Sequence, residues 1–296
     1  MTEIRRDPEY FSLVYYFPAP PEKIAAIIKA CLAESVKLLG PIRPYLGWGL
    51  GRHLMKDRRR VIRYRLDDPA LIKGFQKWAS DGLNLILPIP AARRKKSLDF
   101  IWHLSYEPIS ISHVRFEPTL GIHMGLPFLS PDQAVRLAHF CESLSEAIVR
   151  HSRICYGLAD VDPARYTGYG KIYQSTIPGC VPLDRQTRRR VWLRLGARRK
   201  RTLRGVFWGQ VLPPSMVRKL GGSRRFIEEY RALEDPVERN LARRFDDGSI
   251  FVRVSNSPLD VRPSSYYLSP PSLGYMPTTI DRAVWLYERF QAAGLL

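Results

Sequence analysis

The sequence predicts an α+β fold, in which helices pack on an antiparallel or mixed sheet and the chain forms two related halves. Strand-like and helix-like segments both occur along the whole chain. They do not alternate regularly, as they would in a doubly wound parallel sheet, and several are joined by hairpin-type connections. No internal repeat of roughly 20 to 50 residues is visible.

A strand and a helix are predicted near the N-terminus. Residues 9–17 are β-branched and aromatic, which favours a strand. Prolines at 20–21 open a helix, and the Gly-Pro pair at 40–41 ends it. Apolar residues recur along this helix with the spacing of one buried face: Ile24, Ile27, Ile28, Cys31, Leu38 and Leu39.

The middle of the chain predicts a strand, a helix and a β-hairpin. Residues 61–66 form a strand and residues 69–82 a helix. Strand-like runs at 98–106 and 110–117 are separated by a Glu-Pro pair, which predicts a β-hairpin between them.

The next helix has the strongest local start signal in the chain. Ser130 occupies the N-cap, followed by Pro at the first and Gln at the third helical position. Its predicted apolar face comprises Ala134, Leu137, Cys141, Leu144 and Ile148. Residues 162–187 are then rich in Gly, Pro and Tyr and lack periodicity, which indicates a long connection or an ordered loop.

The last third predicts two strands, two short helices and a final helix. Residues 203–212 form a strand, prolines at 213–214 open a short helix that ends at 220–222, and Ser223 caps the next helix, which ends near Leu233.

A clear strand and a helix close the chain. Residues 249–255 alternate so that Arg253 is expected to face outward. Residues 278–290 form an amphipathic helix whose predicted inner face comprises Ile280, Val284 and Tyr287.

A chain of 296 residues fits one large domain or two ordinary ones. We expect a single α+β domain spanning 1–296, with two possible halves, 1–161 and 188–296, joined by the connection 162–187.

Composition excludes several classes of protein. With 45% hydrophobic and 11% aromatic residues, the chain has enough apolar material for a core, so a disordered basic tail protein is excluded. The longest apolar run, 83–92, is short and broken by prolines, which excludes a membrane span. No apolar stretch follows the N-terminal charges, so no secretory signal is expected. Cysteines at 31, 141, 155 and 180 form no framework, which indicates reduced thiols and a cytoplasmic protein.

The charge of the chain is concentrated in one segment. There are 47 Lys and Arg residues against 28 Asp and Glu residues, which gives a formal net charge of +19. Ten basic residues and no acidic one lie in residues 185–204, here called the basic segment, so it carries +10 of the +19. Such a density of like charge is stable only if it is solvated or faces an acidic partner.

Catalytic signatures are absent from the sequence. It contains no GxSxG, HExxH, Walker A or GxGxxG pattern, and its carboxylate pairs are adjacent in sequence rather than convergent. We therefore expect no enzyme, no cofactor and no metal. One alternative stays open, a metal-dependent enzyme at His103 and His113, which the predicted hairpin would bring together.

Three interpretations of the basic segment remain open. Arg and Lys are the usual contacts to phosphates, so the segment fits nucleic acid, and Trp192 could add stacking to a base. Arg-rich patches also speed association with an acidic protein and help to select it. The third interpretation is a solvated face with no direct role.

Residues 206–268 carry a motif that changes this balance. A tryptophan-bearing strand leads to a short helix, a Leu-Gly-Gly step, another helix, and a glycine-primed strand that ends in a proline loop. The residues that mark it are Trp208, Gly209, Leu220, Gly221, Gly222 and Pro258. In this arrangement the chain resembles the bacterial type VI immunity family. It departs from the family in having Leu259 and Asp260 where members often have Gly-Asp, and in carrying the basic segment.

Each motif residue also has a structural interpretation of its own. Trp208 is expected to anchor the core. Gly221 and Gly222 are expected to supply positive φ angles at a helix C-cap, and Pro258 to end the preceding strand. The motif therefore predicts a scaffold and does not mark a contact surface.

The resemblance implies function by binding. Immunity proteins of this kind neutralise a cognate antibacterial toxin, usually by covering its active site, and so protect the producing cell and its kin. Because no export signal is expected, we expect neutralisation to occur in the cytoplasm. An inhibitor needs a preorganised surface and no reactive group. We expect the toxin to present an acidic surface to the basic segment, and nucleic acid is the second choice of partner. The predicted contact residues are Arg188, Arg189, Arg190, Arg194, Arg198, Arg199, Lys200 and Arg201.

Overall fold

In a computed structural model, the chain is described at residues 10–16, 21–40, 45–46, 62–63, 83–88, 100–107, 119–126, 129–154, 156–162, 203, 206–258 and 277–296. Ten strands are described: β1 (Tyr10–Tyr16), β2 (Tyr45–Leu46), β3 (Ile62–Arg63), β4 (Leu83–Pro88), β5 (Phe100–Glu107), β6 (Thr119–Gly125), β7 (Tyr156–Asp162), β8 (Gly209–Leu212), β9 (Ala242–Arg244) and β10 (Ile250–Arg253). The described helices are α1 (Pro21–Leu39), α2 (Pro131–Val135), α3 (Leu137–His151), α4 (Pro214–Lys219), α5 (Ser223–Arg231) and α6 (Pro277–Ala292).

The ten strands form one sheet in the order β3-β2-β4-β5-β6-β1-β7-β8-β10-β9. Every pairing between the described strands is antiparallel. The predicted α+β class, with helices on an antiparallel sheet, is therefore confirmed. The sheet continues from β7 to β8, across the boundary between the two predicted halves. None of the described helices is both long and apolar enough to cross a membrane.

The first strand, β1, lies at the centre of the sheet, between β6 and β7. Its residues from Phe11 to Tyr16 are all buried, so both faces of the strand are covered. On one face, the hydroxyl of Tyr15 forms a 2.7 Å hydrogen bond with Ser145 of α3. Helices α1 and α3 pack against each other, and Cys31, Cys141 and Leu144 between them are fully buried. This layer forms the main core.

The helix start at Ser130 has the predicted capping box. The Ser130 hydroxyl accepts the backbone N–H of Gln133, and the Gln133 side chain accepts the backbone N–H of Ser130. The helical segment is divided at Arg136 into α2 and α3, and all five residues of the predicted apolar face are buried. The N-terminal helix also has its predicted limits, with Gly40 at φ +82° after its last residue.

The predicted hairpin between 98–106 and 110–117 is wrong. The partner of β5 on that side is β6, with Glu107 opposite Thr119. The other partner of β5 is β4. Residues 110–117 lie outside the described part of the chain, as does the predicted helix at 69–82. Of the predicted connection 162–187, only Asp162 is described, and it is the last residue of β7.

Two predictions about side-chain direction are also wrong. Arg253 is only 7% exposed and does not face solvent, because both faces of β10 are covered. On α6, Val284 is 37% exposed, whereas Ala283, Leu286 and Phe290 are buried. Tyr287 is half-buried and packs against the core as predicted, and the side chain of Ile280 lies outside the described residues. The inner face of α6 is therefore centred on Ala283, Leu286 and Phe290, with Val284 outside it.

Candidate functional site

The motif residues form a scaffold around a buried tryptophan. Trp208 has no exposed surface, and its indole N–H donates to Ser255 Oγ at 3.1 Å. Its ring meets Phe11 and Phe251 edge-on, with centroids 5.8 Å and 6.5 Å away. Because Phe11 lies on the central strand, Trp208 joins the C-terminal strands to the main core. Its predicted role as a core anchor is confirmed.

The glycines of the motif occupy positions where a side chain would clash or would strain the backbone. A Cβ on Gly209 would lie 3.2 Å from the ring of Phe251. Gly221 and Gly222 both have φ +94°, and the N–H of Gly222 donates to the carbonyl of Val217 at 3.0 Å. This closes the end of α4 and turns the chain directly into α5, as the Leu-Gly-Gly step predicts.

The other two motif residues, Leu220 and Pro258, are buried. Leu220 is 4% exposed at the end of α4, and Pro258 is buried five residues after the end of β10. The prediction that Pro258 ends the strand is wrong, because β10 already ends at Arg253. The packing of Trp208 and Gly209 and the turn at Gly221 and Gly222 favour the interpretation of the motif as a scaffold.

The predicted contact residues lie outside the described part of the chain. This applies to all eight cations between Arg188 and Arg201 and to Trp192. Their role in binding stays a prediction from sequence.

A row of polar residues crosses the central strands on the face opposite Tyr15. Ser12 of β1 lies between His123 of β6 and Asp160 of β7 in the strand register. His123 Nδ1 and Ser12 Oγ are joined by a 2.9 Å hydrogen bond. The three side chains are 1%, 3% and 3% exposed, respectively, for Ser12, His123 and Asp160. A Ser–His pair can act as a nucleophile and its base, but burial this deep favours an internal hydrogen-bond network.

The metal hypothesis paired His103 with the wrong histidine. The register of β5 and β6 places His103 opposite His123, and His113 lies outside the described residues. Among the residues that the structure describes, no group of three His, Cys, Asp or Glu side chains is arranged to hold a metal ion.

The two described cysteines are expected to be unreactive thiols. Cys31 and Cys141 are free thiols with no exposed surface. Burial raises the pKa of each thiol well above its ordinary value. Both therefore stay protonated at neutral pH, which disfavours a nucleophilic role.

An arginine–carboxylate cluster joins α3 to the C-terminal strands. Arg253 of β10 donates to Glu142 of α3, and it also reaches the amide oxygen of Asn256 at 3.4 Å. Arg243 of β9 donates to Glu146 of α3 at 2.8 Å and lies 3.7 Å from Glu142. These ion pairs attach the last strands of the sheet to the helix layer.

A second cluster is centred on Arg282 of α6, which has no exposed surface. Its guanidinium donates to the carbonyl of Val254 at 2.7 Å and to that of Leu233 at 3.2 Å. It also donates to the carboxylates of Asp235, at 3.1 Å, and Glu238. The backbone N–H groups of Glu238 and Val237, together with Arg282, hold the pKa of Asp235 below its usual value.

Sequence reasoning did not find either cluster. The carboxylate partners of Arg253 and Arg282 are 44 to 111 residues away in the chain, and spacing rules do not reach that far. A signal for the phase of α6 was nevertheless present. Ala283, Leu286 and Phe290 are separated by three and four residues, and this spacing marks the buried face on which Arg282 also lies.

The fold resembles that of a bacterial secretion-system protein. It superimposes on the Pseudomonas aeruginosa T6SS protein PA0821 with a TM-score of 0.52 at 11% identity, covering 95% of this chain and 72% of that one. At this identity the likeness concerns the fold. No family model matches the sequence, and no curated protein matches it. The chain thus shares its architecture with a protein named for the type VI secretion system.

Proposed function

We propose that this protein is an immunity protein, which binds and neutralises a cognate toxin of a type VI secretion system or a related polymorphic toxin system. It would act in the cytoplasm and protect the producing cell and its kin. The observation that carries this proposal is the fold similarity to a T6SS protein along 95% of the chain.

A shared fold does not fix a function, so a second line of support matters. The motif at residues 206–268 resembles that of the type VI immunity family. In the structure Trp208 and Gly209 pack between the C-terminal strands and the core, and Gly221 and Gly222 form the turn between α4 and α5. The motif and the fold similarity both support a link to the type VI secretion system, and the immunity role is our proposal.

Neutralisation by binding requires no chemistry from this chain. An inhibitor covers the active site of its target, and its affinity comes from a few well-packed anchors on a surface that is already ordered before binding. The buried arginine clusters supply such order, because they fix the loop and strands of the C-terminal part against α3 and α6. The excess of positive charge favours an acidic toxin surface.

A direct test uses the purified chain and the product of the reading frame adjacent to its gene, expressed as a catalytically inactive toxin. Isothermal titration calorimetry should give a 1:1 or 2:2 complex with a Kd in the nanomolar range or below. The same chain is titrated with a 20-base-pair DNA duplex at about 50 and 200 mM salt.

The two titrations separate immunity from the nucleic-acid alternative. Tight binding to the protein, with weak duplex binding that is lost at the higher salt, supports immunity. Tight duplex binding with no binding to the protein contradicts it.

A further inference from the structure

In the segment from the end of α5 to β9, residues 231–244, the acidic side chains face the protein interior and the arginines face solvent. Its acidic residues Glu234, Asp235 and Glu238 are partly buried and bonded to the protein's own groups. Its arginines are all exposed: Arg231, Arg239, Arg243 and Arg244. The carboxylates are therefore engaged in hydrogen bonds within the protein, and the exposed charges of the segment are positive.

The acidic side chains hold the loop at residues 235–240, here called the contact loop, in one shape. Asp235 Oδ1 accepts the backbone N–H groups of Val237 at 2.8 Å and Glu238 at 2.7 Å. Its other oxygen and the carboxylate of Glu238 both accept from the buried Arg282. Two carboxylates thus anchor one short loop to a single guanidinium within the core.

Further bonds close the inner side of the contact loop. The backbone N–H of Asn256 donates to Glu238 at 3.0 Å, and the Asn256 side chain donates to the carbonyl of Val237 at 3.1 Å. Glu234 accepts the backbone N–H of Leu241 at 2.8 Å, just after the loop. Asn240 adopts a φ of +57°, which turns the chain into β9. A loop with so many internal bonds has little conformational entropy left to lose on binding.

The outer side of the contact loop carries exposed side chains. Val237 is 84% exposed, more than any other large apolar side chain among the described residues. Pro236, Arg239 and Asn240 beside it are exposed too. Arg239 forms no ion pair with the described residues, and the same holds for Arg231 and Arg244, whereas Arg243 pairs with Glu146.

We propose that the contact loop is a preorganised docking element for the acidic surface of the toxin, with Val237 as its apolar anchor and Arg231, Arg239 and Arg244 as its charged rim. This inference rests on the proposed function and names one surface for it. Guanidinium groups match carboxylates in a two-bond geometry, and these three need not break an existing pair to do so. An exposed apolar side chain on a rigid loop gains by burial without an ordering cost.

The experiment compares two matched double variants in the calorimetric titration with the adjacent-frame protein. The test variant is Val237→Asp with Arg239→Glu. The control variant is Val135→Asp with Arg153→Glu, which makes the same chemical changes at an exposed valine and at an exposed arginine that forms no ion pair with the described residues. Thermal unfolding of both variants checks that the fold is kept.

We expect the test variant to bind about 30-fold more weakly than the wild type, and the control variant to stay within about threefold. If the wild type binds tightly and both variants bind equally well, the contact loop is not the docking element, while the proposed immunity function stands. If the wild type does not bind the adjacent-frame protein, the proposed function fails, and this inference fails with it.

Discussion

Arg282 donates a 3.1 Å hydrogen bond to Asp235 from a position with no exposed surface, although the two residues are 47 apart in the chain. The same guanidinium donates to Glu238 and to two backbone carbonyls. An isolated buried charge is very unfavourable, so this arginine is tolerated because each of its three side-chain nitrogens is hydrogen-bonded and two carboxylates balance its charge. The pair therefore fixes the helix α6 and the contact loop relative to each other.

Replacing Arg282 by Ala should destabilise the protein by about 3–5 kcal/mol, because two carboxylates and two carbonyls lose their shared donor. Urea denaturation measures this as a change in the free energy of unfolding. Arg224→Ala serves as the control, since its ion pair with Glu228 is on the surface, with 90% of the Arg224 side chain exposed, and should contribute little. Equal stabilities of the two variants would show that the Arg282 cluster is energetically unimportant.

The acid sensitivity of stability should depend on Asp235. Its folded pKa is lowered, chiefly by the backbone N–H of Glu238, so its ionised form stabilises the fold above its unfolded pKa of about 3.9. That contribution is lost as the pH falls through the lower, folded pKa. Asp235→Asn keeps an oxygen for the two backbone donors but removes the charge.

The measurement is the free energy of unfolding between about pH 6 and pH 2. We expect the wild type to lose more stability than Asp235→Asn below about pH 4. Some acid sensitivity should remain in the variant, because the pKa of Glu229 is also lowered, first by its hydrogen bond from Arg225. Identical pH profiles would mean that the charge of Asp235 has no part in stability.

Gly222 should tolerate no side chain. Its φ of +94° and ψ of 161° lie in a region that is almost confined to glycine, so Gly222→Ala should cost about 1–3 kcal/mol. Ser223→Ala at the next position is the matched control. Ser223 is the first residue of α5, and no side chain caps that helix, so this substitution should change little. A larger effect of Ser223→Ala would restore the capping role that the sequence predicts for it.

Local sequence signals predict the structure where neighbouring residues determine it. The proline that opens α1, the glycine after α1 and the capping box at Ser130 all act within four residues, and the structure confirms them. The tryptophan and glycines of the motif also have the predicted roles, because packing and positive φ are properties of residue type.

Pairing over long distances could not be read in the same way. Strand β6 contains glycines and has no strong strand pattern, yet it pairs with both β1 and β5. Strand pairing depends on which segments meet in space, so the hairpin partner of β5 was wrong. The alternating pattern of β10 predicts that Arg253 faces solvent, because it assumes that one face of the sheet is solvent-exposed. In the structure Glu142 of α3 lies on that face and pairs with Arg253. The shape of the contact loop depends on Arg282. The inner face predicted for α6 does not include Arg282, so the sequence does not predict that this residue is buried.

The basic segment gives a separate prediction about kinetics. Neutralising six of its arginines together should slow association with the toxin several-fold at low salt and leave thermal unfolding unchanged, because the role proposed for these charges is to steer encounter with an acidic partner. The six are Arg188, Arg189, Arg190, Arg198, Arg199 and Arg201. Stopped-flow or surface plasmon resonance measures the association rate. An unchanged rate would exclude the segment from the interface.

Growth of cells that co-express the adjacent-frame toxin with this chain tests the central claim most directly. The proposal predicts that the toxin alone stops growth, that the wild-type chain restores it, and that a toxin from an unrelated pair is not neutralised. Cells that stop growing whether or not this folded chain is present would contradict the assignment as an immunity protein.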